Sequence, residues 1–270
     1  MSHALALTTA SGCHFQSGCG YPAPSIEDFI FKPIATVAGF QITKPIVLAV
    51  FVALIVVIFF WYAFRNPKLV PRGTQNIGEM GILFVRDQII RPQMGKRGDK
   101  YLPFLVSLFF FIWIANILGI IPVIEFPFMS RIAFPAGLAF MVWVIYLSIG
   151  IKNQGPIGYF KNMATPAGAP WWILPLLSPI ELFSNILVRP FTLTIRLMAN
   201  MLSGHLLLLV FGLASWYLVS ANVIGLLSAA TSFALTIILT LLEVLIQALQ
   251  AFIFTTLAAF YFADAYSSAH

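Results

Sequence analysis

Apolar residues run along this chain in long unbroken blocks. Residues 46–64 form 19 consecutive positions without a charge. Two further blocks cover 101–122 and 132–151. Each is long enough to cross a hydrocarbon core about 30 Å thick as a helix. Two much longer blocks follow, 179–219 and 222–265, parted by a short break near 220–222. Ser178-Pro179-Ile180-Glu181 reads as a helix start: a serine cap, a proline in the first helical position and a glutamate that completes a capping box. From 179 to 219 such a helix measures about 60 Å at roughly 1.5 Å per residue. Neither long helix can stand upright in the bilayer, so both must tilt, bend or break. Pro190 is the expected bend. In 74–91, Ile77, Met80 and Phe84 alternate with Glu79, Arg86 and Asp87, the pattern of an amphipathic helix on the membrane surface. The pattern predicts an all-α polytopic membrane protein, with about five membrane-embedded helices plus one interfacial amphipathic helix. The last two helices would form a long, strongly tilted hairpin suited to a rounded partner. An outer-side N-terminal segment, 1–45, would precede a single membrane domain, 46–270.

Composition agrees. Sixty per cent of the 270 residues are hydrophobic, 9% are charged, and mean hydropathy is +0.94. A soluble domain carries about 25% charged residues. These values exclude a disordered chain, a collagen-like fibre and a cytosolic globule. Long apolar blocks also exclude a transmembrane barrel, whose strands alternate. The net charge of +6 points to basic loops on the cytoplasmic side rather than to nucleic acid. Eight of the 15 basic residues lie between Arg65 and Lys100, and Lys152 and Lys161 lie two spans later. The positive-inside rule then places the N-terminus outside and the C-terminus in the cytoplasm of a multi-pass membrane protein. Cys13 and Cys19 flank His14 in a Gly/Ser-rich tail. They are too few for a four-ligand zinc site. One disulfide is open to them in an oxidising compartment. No secretory signal is evident at the N-terminus.

The informative charges are those the membrane should not hold. Arg196 and Glu243 are separated by 46 uncharged residues, and 20 more separate Glu243 from Asp264. An arginine near the bilayer centre costs roughly 2.5–3.5 kcal/mol even on mild scales, so such a residue is a functional candidate. At about 100° per residue, Arg189, Thr192, Arg196, Asn200 and Ser203 share one stripe, small enough for a neighbouring helix to approach closely. His205 points away from that stripe. Thr236, Glu243, Gln247, Gln250 and Phe254 share a face of the last helix. Folding the hairpin at 221 brings Gln247 and Gln250 near the level of Arg196, with Glu243 further out, towards His205. A chain of titratable and hydrogen-bonding groups leading inward is the pattern of a proton path. A structural Arg196–Glu243 ion pair is the plain alternative.

Pro190-Phe191-Thr192-Leu193-Thr194-Ile195-Arg196-Leu197-Met198-Ala199-Asn200-Met201 with Gly204, Gln250-Ala251-Phe252-Ile253-Phe254, and Asn116-Ile117-Leu118-Gly119-Ile120-Ile121-Pro122 resemble subunit a of F-type ATP synthases. The resemblance covers about 25–266. It implies a stator subunit of the F0 sector with two offset proton half-channels. Arg196 would be the essential arginine facing the ion-carrying carboxylate of the rotating c-ring. Asn200, Gln247 and Gln250 would be its polar neighbours, and His205 and Glu243 would line the outer half-channel. Asn116 and Glu125 would lie at its mouth, and Glu181, Ser184, Asn185 and Thr192 in the inner half-channel. The implied partners are the c-ring, subunit b of the peripheral stalk, the whole F1F0 complex and the lipid bilayer. A lipophilic-amine inhibitor could lodge beside Arg196. The chain has no phosphate-binding loop, metal site or cofactor signature of its own, so catalysis would lie on other subunits. Three other readings remain: a self-contained transporter, which would show internal repeats; an intramembrane enzyme or haem anchor, for which one intramembrane histidine is too few; and a structural anchor.

Overall fold

The computed structural model describes residues 35–37, 40–121, 127–164, 173–219 and 222–266. Two three-residue strands, β1 (Ala35–Val37) and β2 (Phe40–Ile42), pair antiparallel with Thr36 opposite Gln41. The described elements after them are helices. The helices are α1 (Lys44–Phe64), α2 (Thr74–Phe84), α3 (Arg91–Met94), α4 (Leu102–Ile120), α5 (Ala133–Gln154), α6 (Pro156–Ala164), α7 (Leu174–Phe183), α8 (Arg189–Tyr217) and α9 (Val223–Tyr266). Without water to satisfy the backbone, helices are the form such apolar segments must take. Among the described residues, five helical stretches are long and apolar enough to span a bilayer: Lys44–Phe64, Thr74–Ile120, Ala133–Gln154, Leu174–Tyr217 and Val223–Tyr266. The chain is an all-α polytopic membrane protein.

Prolines open the helices. Pro45 and Pro175 lie in first turns, where the missing N–H has no helical partner to lose. Pro92, Pro103 and Pro190 each follow a π-helical or 3-10 turn and open the α-helical segment after it. Threonine and serine hydroxyls inside helices donate to the carbonyl four residues back, as Thr240 does to Thr236 and Thr255 to Ala251. They thereby bury no unpaired donor.

Three elements differ from the sequence expectation. The helix expected to start at Ser178 starts at Leu174, and Pro179 lies inside it. Pro175 supplies the first-turn proline, so Ser178 caps nothing. At the expected Pro190 bend, the chain widens into a π-helical turn, Ser184–Val188, just before the proline. The loop after α5 holds α6, joined through Gly155 at φ +74°. α6 folds back so that Tyr159 lies against Gly150, where any Cβ would collide with its ring.

The 74–91 segment is helical through α2, a π-helical turn Val85–Ile90 and α3. Ile77, Met80 and Phe84 are exposed along it, and Val85, Ile89 and Ile90 are buried. At Gly95, φ +60°, the chain reverses into α4. The Arg86 guanidinium hydrogen-bonds Asp99 across this reversal and holds its carboxyl below the ordinary carboxylate range.

The core forms where α4 meets the second half of α9. Leu105 and Ile112 bury there with Phe254, Ala258 and Phe262. α5 packs against α8 and α9 on the other side. α1 is peripheral, with Val50, Leu54, Val57, Ile58 and Trp61 all exposed.

Candidate functional site

The site lies in the hairpin of α8 and α9. Four side-chain contacts fix its register. Near the tip, Ser232 donates to the Phe211 carbonyl at 3.0 Å. The Glu243 carboxylate lies where a Cβ on Gly204 would be, so any side chain at 204 would displace it. Asn200 Nδ2 donates to Gln250 Oε1 at 2.9 Å. At the far end Arg189 Nη1 meets Asp264 Oδ2 at 2.7 Å and its guanidinium covers the Tyr261 ring at 5.0 Å.

This register corrects the simple fold at 221. Between the first and last contacts α8 advances 22 residues, from 211 to 189, while α9 advances 32, from 232 to 264. α9 therefore runs obliquely over α8, as helices of this kind cross rather than lie parallel. Gln250 pairs with Asn200, about two turns further out than residue 192, which a simple fold at 221 sets opposite it.

Three predicted residues share one narrow cleft. His205, Glu243 and Gln247 line it together with Met201, Leu208, Gly119 and Ile120. His205 and Glu243 are 8% and 6% exposed. Gln247 Nε2 donates to the Glu243 carboxylate and lies 3.2 Å from the Met201 sulfur. Asn116 is fully buried on α4, one turn before Ile120, and neither atom of its amide has a hydrogen-bond partner. Gln250 Nε2 is likewise unpaired. Buried orphans of this kind are costly and call for water. A line of polar groups thus runs down the hairpin interior from His205 and Glu243 through Gln247 to Gln250 and Asn200.

Arg196 is elsewhere. It is exposed on α8, as are Thr192, Ala199 and Ser203 on the same stripe. Eight residues separate it from Gly204, so the Glu243 carboxylate lies about 12 Å further along the helix axis. No acidic group lies within ion-pair distance of Arg196 among the described residues. The ion-pair alternative with Glu243 is not what the structure contains. Exposed Phe191 and Ile195 flank the arginine on α8, and Leu241, Leu245 and Leu249 form an apolar surface on α9.

The residues assigned to an inner path are more scattered. Glu181 and Ser184 are half-buried, and Thr192 is exposed with its hydroxyl on the Arg189 carbonyl. Asn185 is buried in the π-helical turn, and its carbonyl accepts the Tyr146 hydroxyl from α5. Glu125, Cys13, His14 and Cys19 lie outside the described residues. Sequence reasoning missed Tyr146, Tyr261 and the partner of Arg189. An antiparallel hairpin with two charges near its open ends contained the signal for the Arg189–Asp264 pair. Nothing in the sequence announced the tyrosines.

The family model described as ATP synthase A chain matches residues 46–263. A protein of Streptomyces lividans named ATP synthase subunit a is 43% identical over 98% of this chain and 94% of its own length. Proteins of the same name from Frankia alni and a Nocardioides species are 46% and 42% identical. Those two alignments cover 83% and 97% of this chain, and 77% and 99% of the relatives.

Proposed function

The chain belongs to the ATP synthase A chain family, and from that premise we propose that it carries two offset proton half-channels which drive the c-ring past Arg196. One observation carries the reading. Arg196 sits exposed on a polar stripe of α8 with no acidic partner among the described residues, while His205, Glu243, Gln247 and Gln250 are enclosed within the hairpin. One surface is ready for a partner's carboxylate, and one interior is ready for protons.

Protons enter from the outside past Asn116, His205 and Glu243 and reach a carboxylate on the ring. The neutralised carboxylate turns into lipid at little cost. After nearly a full revolution it meets the inner path, near Glu181, Ser184, Asn185 and Thr192, and loses its proton. Arg196 divides the two paths. Its guanidinium has no acceptor and stays charged, so it attracts the ionised carboxylate and cannot relay the proton. Each charge crossing is worth about 2.3 kcal/mol per 100 mV, so one ATP requires several crossings. The exposed apolar flank of α8 and α9 supports the ring as the neighbour of this surface. The N-terminus lies outside and the C-terminus in the cytoplasm of a bacterial plasma membrane, as the basic loops require. Subunit b of the peripheral stalk completes the stator. A lipophilic amine that lodged between Arg196 and the ring carboxylate would stop rotation.

The test is ATP-driven proton pumping by inverted vesicles that carry Arg196→Ala, with assembly of the complex verified. Pumping should be abolished. Near-normal pumping in an assembled complex would leave the chain as a structural anchor and remove the arginine from the mechanism.

A further inference from the structure

We propose that a pocket between the 93–97 turn and the end of α9 recognises a phosphate group, and that its occupant is the headgroup of an anionic phospholipid from the surrounding leaflet. The pocket has a volume of about 180 Å³ and is lined by Gln93, Met94, Arg97, Ala263 and Tyr266. That is room for several waters or one phosphate ester. It lies apart from the proton path.

Among the described residues, the only charged side chain in its lining is a cation. Arg97 is exposed and has no acidic partner within ion-pair distance among the described residues. The two nearby acids are taken: Asp99 by Arg86 at 3.2 Å and Asp87 by Arg91 at 3.5 Å. Lys96, Arg97 and Lys100 therefore leave surplus positive charge around the opening. The Tyr266 and Tyr101 hydroxyls share a hydrogen bond of 2.9 Å. Only one of the two hydrogens is used in it, so the pair keeps a donor to offer. The Gln93 amide brings two more N–H groups. A guanidinium beside neutral donors is the arrangement that binds a phosphate monoanion. Met94 and Ala263 give the pocket an apolar wall, which free phosphate does not need and a lipid does.

Depth selects the lipid. Phe64 is the last residue of α1, and Arg65 follows it, so Phe64 marks the edge of the hydrocarbon. The rings of Phe60 and Phe110 meet at 5.2 Å, which sets the level of α4 against that edge. Phe60 is one turn inside the edge, or about 6 Å. Tyr101 lies nine residues back along α4 from Phe110, or about 13 Å in the opposite direction. With both helices near upright, the pocket sits about 7 Å beyond the hydrocarbon. The headgroup layer is about 5–7 Å deep on each side. Basic pockets between helices at this level hold anionic headgroups.

The experiment counts phospholipids that stay on the purified intact complex, by mass spectrometry, after extraction from membranes that contain phosphatidylglycerol or cardiolipin. Arg97→Gln should lose one anionic phospholipid per complex, and Tyr266→Phe should retain it less firmly. Lys152→Gln, at another exposed basic position, should keep the wild-type number. Equal counts in wild type and Arg97→Gln overturn the proposal. A second arm places the complex in zwitterionic nanodiscs with radiolabelled inorganic phosphate. No binding dependent on Arg97 is expected. Binding there, with lipid counts unchanged, would assign the site to soluble phosphate and overturn the lipid as occupant.

Discussion

Gly204 decides how near Glu243 can come to His205. A methyl group at 204 would occupy the space of the carboxylate. Gly204→Ala must therefore push Glu243 and its partner Gln247 out of the cleft. Forcing a methyl group into a packed site costs typically 1–3 kcal/mol. Gly212→Ala is the control, because nothing lies within 4 Å of a Cβ there. Thermal denaturation and proton pumping of the two variants should separate clearly. Gly204→Ala should melt lower and pump poorly, and Gly212→Ala should do neither. At this scale much was legible from the sequence. Helical arithmetic put His205 away from Arg196 and put Glu243, Gln247 and Gln250 on one face, because those relations depend only on 3.6 residues per turn. It could not show that Asn200 would bond to Gln250, since that depends on how two helices cross.

At the scale of elements, the apolar blocks marked the spanning helices because a bilayer demands length and continuity. The same logic fails for short pieces. Nine residues with Lys161 among them carry no spanning signal, so the sequence predicts a loop where α6 forms; Tyr159 holds α6 against Gly150. Two prolines, Pro175 and Pro179, compete for the first turn of α7, and Pro175 takes it. The π-helical turn before Pro190 has no sequence mark at all. Its carbonyls are out of the ordinary i to i−4 pattern, and the Tyr146 hydroxyl satisfies the one at Asn185. Tyr146→Phe removes that donor and leaves a buried acceptor, which costs about 1–3 kcal/mol. Amide hydrogen exchange should quicken across 184–188, while the middle of α5 stays protected. Unchanged exchange there would mean that the turn holds itself.

At the scale of the whole molecule, the bundle is organised by one helix. α9 joins it all: it meets α4 through Phe262, α8 through Gln250 and Asp264, and α5 through Tyr261. The Arg189–Asp264 bridge clamps the open end of the hairpin between the two longest helices. Asp264 remains partly exposed, so the coupling should be modest, about 1 kcal/mol or less. A double-mutant cycle on the melting of the assembled complex measures it. Arg189→Asp and Asp264→Arg should each destabilise, and the exchanged pair should recover part of the loss. If the double variant melts where simple addition places it, the bridge holds nothing.

The contact between Glu243 and Gly204 also sets an order of events during synthesis. Residue 204 leaves the ribosome 39 residues ahead of its partner. At about 5–20 residues per second, that is an interval of about 2–8 s. Through it α8 exists with Arg196 on one side, His205 on the other, and no second arm to cover the histidine. A nascent chain in that condition needs shelter, whether from an insertase or from a neighbour already in the membrane. Synthesis of α9 is thus the step that closes the hairpin over His205. A ribosome stalled before Glu243 should leave a product that quality-control proteases remove.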